Sequence, residues 1–266
     1  MTARRFLITG ASRGIGYATA VRMAANGHTP VGLARTAPDG FPGEFFTVDL
    51  ADRDATDNTL RDVLAGGPID GVLNNVGIVN PQEVGAIELA QWDAVQDITV
   101  RTAIQAVQAA LPGMTNRSWG RIVNISSLVS LGGVAGRSAY GAAKASLEHL
   151  TRTWAFELAS KRITVNDVAP GLVSADLFRQ NNPSGSPGEA RYLAMILMGT
   201  LGTVDDISAT VCFLMSDDAG WITRQTLRVD GGASIGTSSL MQSDPTLLVI
   251  DAATGGHLLD LRPKRA

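Results

Sequence analysis

A doubly wound α/β fold with a seven-stranded parallel sheet is what this 266-residue sequence predicts, on three observations. Short β-rich runs alternate with longer alanine-rich stretches of helical periodicity, a glycine-rich turn joins the first such pair, and no internal repeat or low-complexity linker intervenes before about Ile235. Alternation of this kind makes consecutive strands parallel, because right-handed crossovers carry helices onto both faces of the sheet. Length alone allows one domain or two; the unbroken pattern favours one, over residues 1–235, with 236–266 as a C-terminal extension.

Taken in order, the strands are RRFLIT, TPVGLA, EFFTV, DGVLN, RIVNIS, ITVNDVA and QTLRV. The first runs into GASRGIG, turns through Gly10, Gly14 and Gly16, and continues as an amphipathic helix ending at Asn26-Gly27. Glycines so placed let the backbone approach a pyrophosphate, whose charge meets the free N–H groups of the helix N-terminus. The same pattern also makes ordinary tight turns, but the flanking strand and helix favour the phosphate. At the end of the second strand a carboxylate would bond a ribose 2′-hydroxyl and a cation would accept a 2′-phosphate. Ala34 and Arg35 stand there, with Arg13 in the glycine loop, so NADP(H) is the expected cofactor. Further along, NNPSGSPGEA (Asn181 to Ala190) is rich in turn formers and reads as a mobile loop. The tail holds two β-prone runs flanking ATGG, a hairpin pattern serving either as an arm over a neighbouring subunit or the substrate mouth, or else a poorly ordered extension.

Composition narrows the class. A formal charge of −3, a pI near 5.6 and scattered arginines provide no basic field for nucleic acid or an anionic membrane. Gly10 and Arg13 interrupt the first apolar run too early for a signal or membrane helix, so a cytoplasmic protein is expected. The single cysteine, Cys212, lies in an apolar run and reads as a buried small hydrophobe; one thiol allows no internal disulfide. His28, His149 and His257 lack metal-ligand spacing, and no catalytic metal is expected.

Several segments together resemble the short-chain dehydrogenase/reductase family, over nearly all of Arg4 to Ser234: TGASRGIG, NNVG (Asn74 to Gly77), NISS, YGAAK, Pro170-Gly171 and VDGG (Val229 to Gly232). The texture is closest to its 3-oxoacyl-carrier-protein reductase branch. The resemblance implies a Rossmann-type fold and a catalytic set of Ser127, Tyr140 and Lys144, Ser127 lying thirteen residues before the tyrosine. Tyr140 would be the general acid/base and Ser127 would orient the substrate oxygen. Lys144, one helical turn from the phenol, would favour its ionised form and bind the cofactor ribose. Cofactor contacts are implied at Gly10, Ser12, Arg13, Gly14, Ile15 and Gly16, at Arg35, Asp49 and Leu50, at Asn75, Val76 and Gly77, at Tyr140 and Lys144, and at Pro170, Gly171 and Val173. Substrate contacts are implied at Leu128, Val134, Leu172, Leu177, Phe178 and Tyr192, an apolar lining suited to a small-molecule carbonyl or alcohol. A homotetramer, or a homodimer, is implied as well.

Three positions depart from the family pattern. Thr99 replaces the usual asparagine, Ala175 replaces a cofactor-bonding threonine with Ser174 beside it, and Arg224 replaces a turn glycine, harmless if its φ is negative. The reading is therefore an NADPH-dependent reductase interconverting a carbonyl and a secondary alcohol on an apolar small molecule or acyl thioester. Its alternative is a redox-silent NADP-binding sensor or scaffold.

Overall fold

The computed structural model describes residues 2–174, 178 and 183–236. Seven parallel strands form one sheet: β1 (Arg5–Thr9), β2 (Thr29–Ala34), β3 (Glu44–Thr47), β4 (Gly71–Asn74), β5 (Gly120–Ile125), β6 (Ile163–Pro170) and β7 (Thr226–Val229), in the order β3-β2-β1-β4-β5-β6-β7. The central strands are buried on both faces, as crossovers on both sides require, and β6 is buried along its whole length.

Side-chain alternation divides the core into two layers. Leu7, Val31, Val72, Ile122 and Val165 point to the face covered by α2 (Arg53–Ala65), α4 (Thr102–Arg117) and α5 (Ser138–Leu158), where they meet Leu60, Val63, Met114 and Ala155. Phe6, Ile8, Leu73, Val123 and Val168 point the other way, onto α1 (Gly14–Ala25) and α7 (Val204–Leu214), with Met23, Ile207 and Val211. The remaining helices are α3 (Leu89–Gln96), α6 (Pro187–Leu193) and the short α8 (Ala233–Gly236). Among the described residues no helix is long and apolar enough to cross a membrane.

Three local findings refine the sequence reading. Part of the segment expected to be a loop, from Pro187, is helical: Ser186 accepts from the Glu189 N–H at 3.2 Å and Pro187 occupies the first turn, so the turn-rich Ser-Pro-Gly-Glu is a helix start. Arg224 has φ 66°, not a negative value, and so occupies the left-handed region where glycine is at ease; its N–H donates to the Val165 carbonyl at 2.7 Å, which fixes the turn into β7. Cys212 is only half-buried, although its apolar surroundings push the thiol up to about 11. The suggested tail hairpin lies outside the described residues.

Candidate active site

From the central β1 the chain runs outward through β2 and β3, then returns to add β4 to β7 on the other side, so the chain reverses direction between β1 and β4. In such a sheet a crevice opens beyond the strand C-termini at that point. Here it is a cleft of about 550 Å³. Gly10, Ser12 and Arg13 line it from the loop after β1, Arg35 from the end of β2, Asp49 and Leu50 from beyond β3, and Asn75, Val76 and Gly77 from beyond β4. Local chemistry explains the glycines. Gly10 sits at φ 70°, and a Cβ on Gly16 would lie 2.5 Å from the Gly10 carbonyl, so α1 can approach the loop only without side chains there. Asn75 fastens β4 to the same loop, its Nδ2 donating to the carbonyls of Thr9 and Gly10 at 3.0 Å each.

Gly14, Ile15 and Gly16 open α1 behind the loop, outside the lining of the cleft. Pro170, Gly171 and Val173 also stand outside it. Gly171 is wedged against Asp230, where a Cβ would approach the neighbouring backbone to 2.7 Å, and Val173 bridges to Gly202. Sequence reasoning missed Thr36, Ala37, Pro38, Val48, Ile78 and Ile98, which with Ala34 complete the lining; they carry no motif. Arg13 and Arg35 are exposed at the cleft and form no hydrogen bond or ion pair among the described residues, and Ala34 to Pro38 contains no carboxylate. Two unengaged guanidiniums and an unopposed loop fit a cofactor bearing a 2′-phosphate.

The expected Ser127, Tyr140 and Lys144 do come together. Ser127 follows β5 with an extended backbone and caps a short 3-10 turn, its Oγ accepting from the Val129 N–H at 3.2 Å. Tyr140 lies in the first turn of α5, where the Ser127 hydroxyl acts on its phenol. One turn on, Lys144 is 2% exposed; its Nζ donates to the Ile125 carbonyl at 2.7 Å and lies 5.6 Å from the Tyr140 ring centroid. Burial lowers the Lys144 ammonium to about 8, opposed by the charge of Asp167. Burial raises Tyr140 above its ordinary value of 10.0, outweighing the Ser127 hydroxyl and the Arg137 charge that act the other way.

Thr99 is placed more tellingly than its sequence suggests. Between α3 and α4 the helix widens into a π-helical turn, Asp97–Arg101, with Thr99 at its centre. Its buried Oγ1 has no hydrogen-bond partner, and a Cβ on Gly77 would stand 3.6 Å from it and 3.1 Å from Lys144 Nζ. Thr99 and Lys144 thus flank the gap at Gly77, and π turns of this kind concentrate at functional sites.

A second hollow, of about 300 Å³, opens beside the tyrosine helix. Val134 lines it with Val129, Ser130, Arg137 and Gly141, whereas Leu128 and Leu172 do not. Phe178 and Tyr192 meet edge to face at 5.5 Å between ring centroids, apart from this hollow. Leu177 lies outside the described residues, as does Ala175. Ser174 donates its backbone N–H to the Gly202 carbonyl at 2.8 Å.

Residues 10–234 match the family model described as enoyl-(acyl carrier protein) reductase. The 3-oxoacyl-(acyl-carrier-protein) reductase of Pseudomonas aeruginosa is 35% identical over 239 residues, which are 85% of this chain and 95% of the relative. That of Thermotoga maritima is 33% identical over 244 residues, 86% of this chain and 97% of the relative. Among solved structures, ElxO with NADP bound superposes with a TM-score of 0.81 at 26% identity, covering 87% of this chain and 99% of that one. A Beutenbergia cavernae protein, described as an NAD(P)-dependent gluconate 5-dehydrogenase and solved with NADP at low occupancy, gives 0.82 at 30% identity, covering 88% and 97%. Sheet order, cleft and sequence likeness all converge, and the chain belongs to the short-chain dehydrogenase/reductase family of oxidoreductases.

Proposed function

We propose that the protein is an NADPH-dependent reductase of carbonyl groups on apolar small molecules or acyl thioesters, with Tyr140, Ser127 and Lys144 as its working residues. The observation that carries this reading is the convergence of the Ser127 and Tyr140 hydroxyls one turn from a buried lysine. Two hydroxyls side by side suit a substrate oxygen, which both can bond, rather than an isolated carbon–carbon double bond, which neither can.

The bound cofactor would supply hydride to the carbonyl carbon. Arg13 and Arg35 would hold its 2′-phosphate, and the α1 N-terminus its pyrophosphate. Ser127 Oγ would donate to the substrate oxygen while Tyr140 transfers its proton to that atom as negative charge develops. A phenol raised by burial keeps its proton throughout the neutral range, the state a proton donor requires. Lys144 Nζ, fixed on the Ile125 carbonyl, faces the Gly77 gap where a ribose would lie. Thr99 offers a hydroxyl across the same gap. Val129, Val134 and the glycines of the hollow would receive an apolar chain, and the named activity of the curated relatives supports a 3-oxoacyl thioester. We read the working form as a cytoplasmic homotetramer.

The test is oxidation of NADPH, compared with NADH, across 3-oxoacyl thioesters and apolar ketones by wild type and Tyr140→Phe. We expect a preference for NADPH and a loss of kcat of roughly 100-fold or more in the variant. Turnover that survives Tyr140→Phe would overturn the assignment, and tight NADPH binding without turnover of any substrate would favour a redox-silent sensor.

A further inference from the structure

The face of the sheet beneath α5 changes character one row before the strands end. Val72, Ile122 and Val165 stand in register across β4, β5 and β6, all buried and apolar. Two residues on, the equivalent row is Asn74, Asn124 and Asp167, equally buried. The amides are linked: Asn74 Nδ2 donates to Asn124 Oδ1 at 2.8 Å, and Asn124 Nδ2 donates to Thr151 Oγ1 at 2.7 Å, which leaves Asn74 Oδ1 buried without a partner among the described residues. Asp167 differs in being ionisable. Its Oδ1 accepts from the hydroxyl of Ser126, next to Ser127, while its buried Oδ2 has no partner. A carboxyl with no solvent exposure and one empty oxygen is costly to the fold unless something is gained from it.

We propose that Asp167 is a positioning residue of the reductase site, a buried carboxyl whose negative charge holds Lys144 as an ammonium and so sets the alkaline edge of activity. This rests on the function proposed above.

Lys144 reaches Asp167 from the other side of one strand end: its Nζ donates to the Ile125 carbonyl, and the next residue, Ser126, donates its hydroxyl to Asp167. From α5 come Lys144 and Glu148, the latter tied to Ser130 and standing 4.0 Å from Arg152. Tyr140, on the same helix, is acted on by Ser127 and Arg137, while β5 and the residue after it offer the neutral Asn124 and Ser126. On β7 Thr226 is the register partner, and Arg228, two residues on, is exposed. The opposite face carries α7, which packs Ile207 and Val211 against the sheet and places Asp205 and Asp206 in its first turn. Lys144 and Asp167 form no ion pair among the described residues, yet each alters the other's proton affinity. Burial raises Asp167 to about 7, while Lys144 stands at about 8, so the two titrate as a coupled pair. Where both are charged, Asp167 opposes deprotonation of Lys144; loss of its charge lets the lysine become neutral at lower pH. A raised carboxyl is also a destabilising one: the native state binds more protons than the unfolded chain between 3.8 and about 7, so stability falls as pH rises through that window.

The sequence contains three lysines, Lys144, Lys161 and Lys264, so a protein carrying 13C at the lysine ε-carbon reports Lys144 in a spectrum of three signals, assigned with Lys161→Arg and Lys264→Arg. Titrated in wild type and Asp167→Asn, the Lys144 midpoint is expected to move down by about one pH unit, the usual scale for loss of a nearby charge. The alkaline limb of the kcat profile should follow it, and Tm should rise at pH 8 but not at pH 4. If Asp167→Asn does not fold, Ser126→Ala decides the same question: without that hydrogen bond Asp167 ionises later and the Lys144 midpoint falls, by less. An unmoved Lys144 midpoint in the folded variant overturns the proposal even if turnover is normal. An absence of turnover in wild type would instead count against the reductase reading, and the lysine titration would still judge Asp167.

Discussion

The two ends of the sheet treat charge in opposite ways. At the N-terminal end Arg5 is fully engaged: its guanidinium meets Glu44 twice, at 2.7 and 2.5 Å, and donates to the carbonyls of Val63 and Gly67 at 2.8 and 2.6 Å. Nearby, Trp119 lies under Arg4 at 3.7 Å and Arg121 at 4.4 Å, and Asp217 accepts from both Arg4 and the indole N–H. At the C-terminal end Lys144 and Asp167 are buried without a direct ion pair, and Asn74, Thr99 and Asp167 each keep a buried oxygen with no partner. One end uses its charged side chains to close the fold, although His28 Nδ1 and Thr164 Oγ1 there are buried without partners among the described residues; the other keeps Lys144 and Asp167 buried beside the cleft. Stability and activity should therefore separate by position along the strands.

Four variants test this contrast. The largest effect is expected from Lys144→Met, which should lower kcat by about 100-fold or more while thermal denaturation shows stability unchanged or improved, because a buried cation gives way to an apolar chain of similar length. A marked loss of stability would dissolve the distinction between the ends. Arg5→Ala should do the reverse, costing about 2 kcal/mol in urea denaturation with kcat/KM unchanged, since charge-assisted bonds and two backbone carbonyls lose their donor. Its pH dependence follows from Glu44, whose carboxyl the Arg5 hydrogen bonds hold below the ordinary 4.5. A depressed carboxyl stabilises above its unfolded value and ceases to as pH falls through the folded one, so the gap between wild type and Glu44→Gln should close in acid. Smallest is Thr203→Ala at the start of α7, where Thr203 and Asp206 form a reciprocal cap; calorimetry should register a loss of about 1 kcal/mol without kinetic change.

Legibility in the sequence followed the range of the interaction. Each strand-forming run lies in the sheet, since each carries its own alternation and its own turn residues. Arg13 and Arg35 were readable because a glycine loop and a strand end place them at the switch point whatever surrounds them. Tyr140 and Lys144 were readable because four residues on a helix make one turn. Asp167 escaped notice: within ITVNDVA it breaks an apolar strand, and only registration against Asn124 and the cover of α5 reveal what it faces. The helix at Pro187 was hidden because serine, proline and glycine mark both turns and helix starts. The φ of Arg224 could not be anticipated, as the turn that demands it is held by a hydrogen bond to Val165, fifty-nine residues earlier.

By itself, then, the sequence determined the parallel architecture, the phosphate-binding turn and the pairing of a phenol with a lysine, because each depends on spacing along one segment. Folding in three dimensions was needed to show that burial raises Tyr140, that Thr99 and Lys144 face one gap across Gly77, and that a buried carboxyl bonds Ser126 beside Ser127. Those outcomes turn on burial and on charges brought together from distant strands and helices, and desolvation is a property of the assembled core rather than of any stretch of chain.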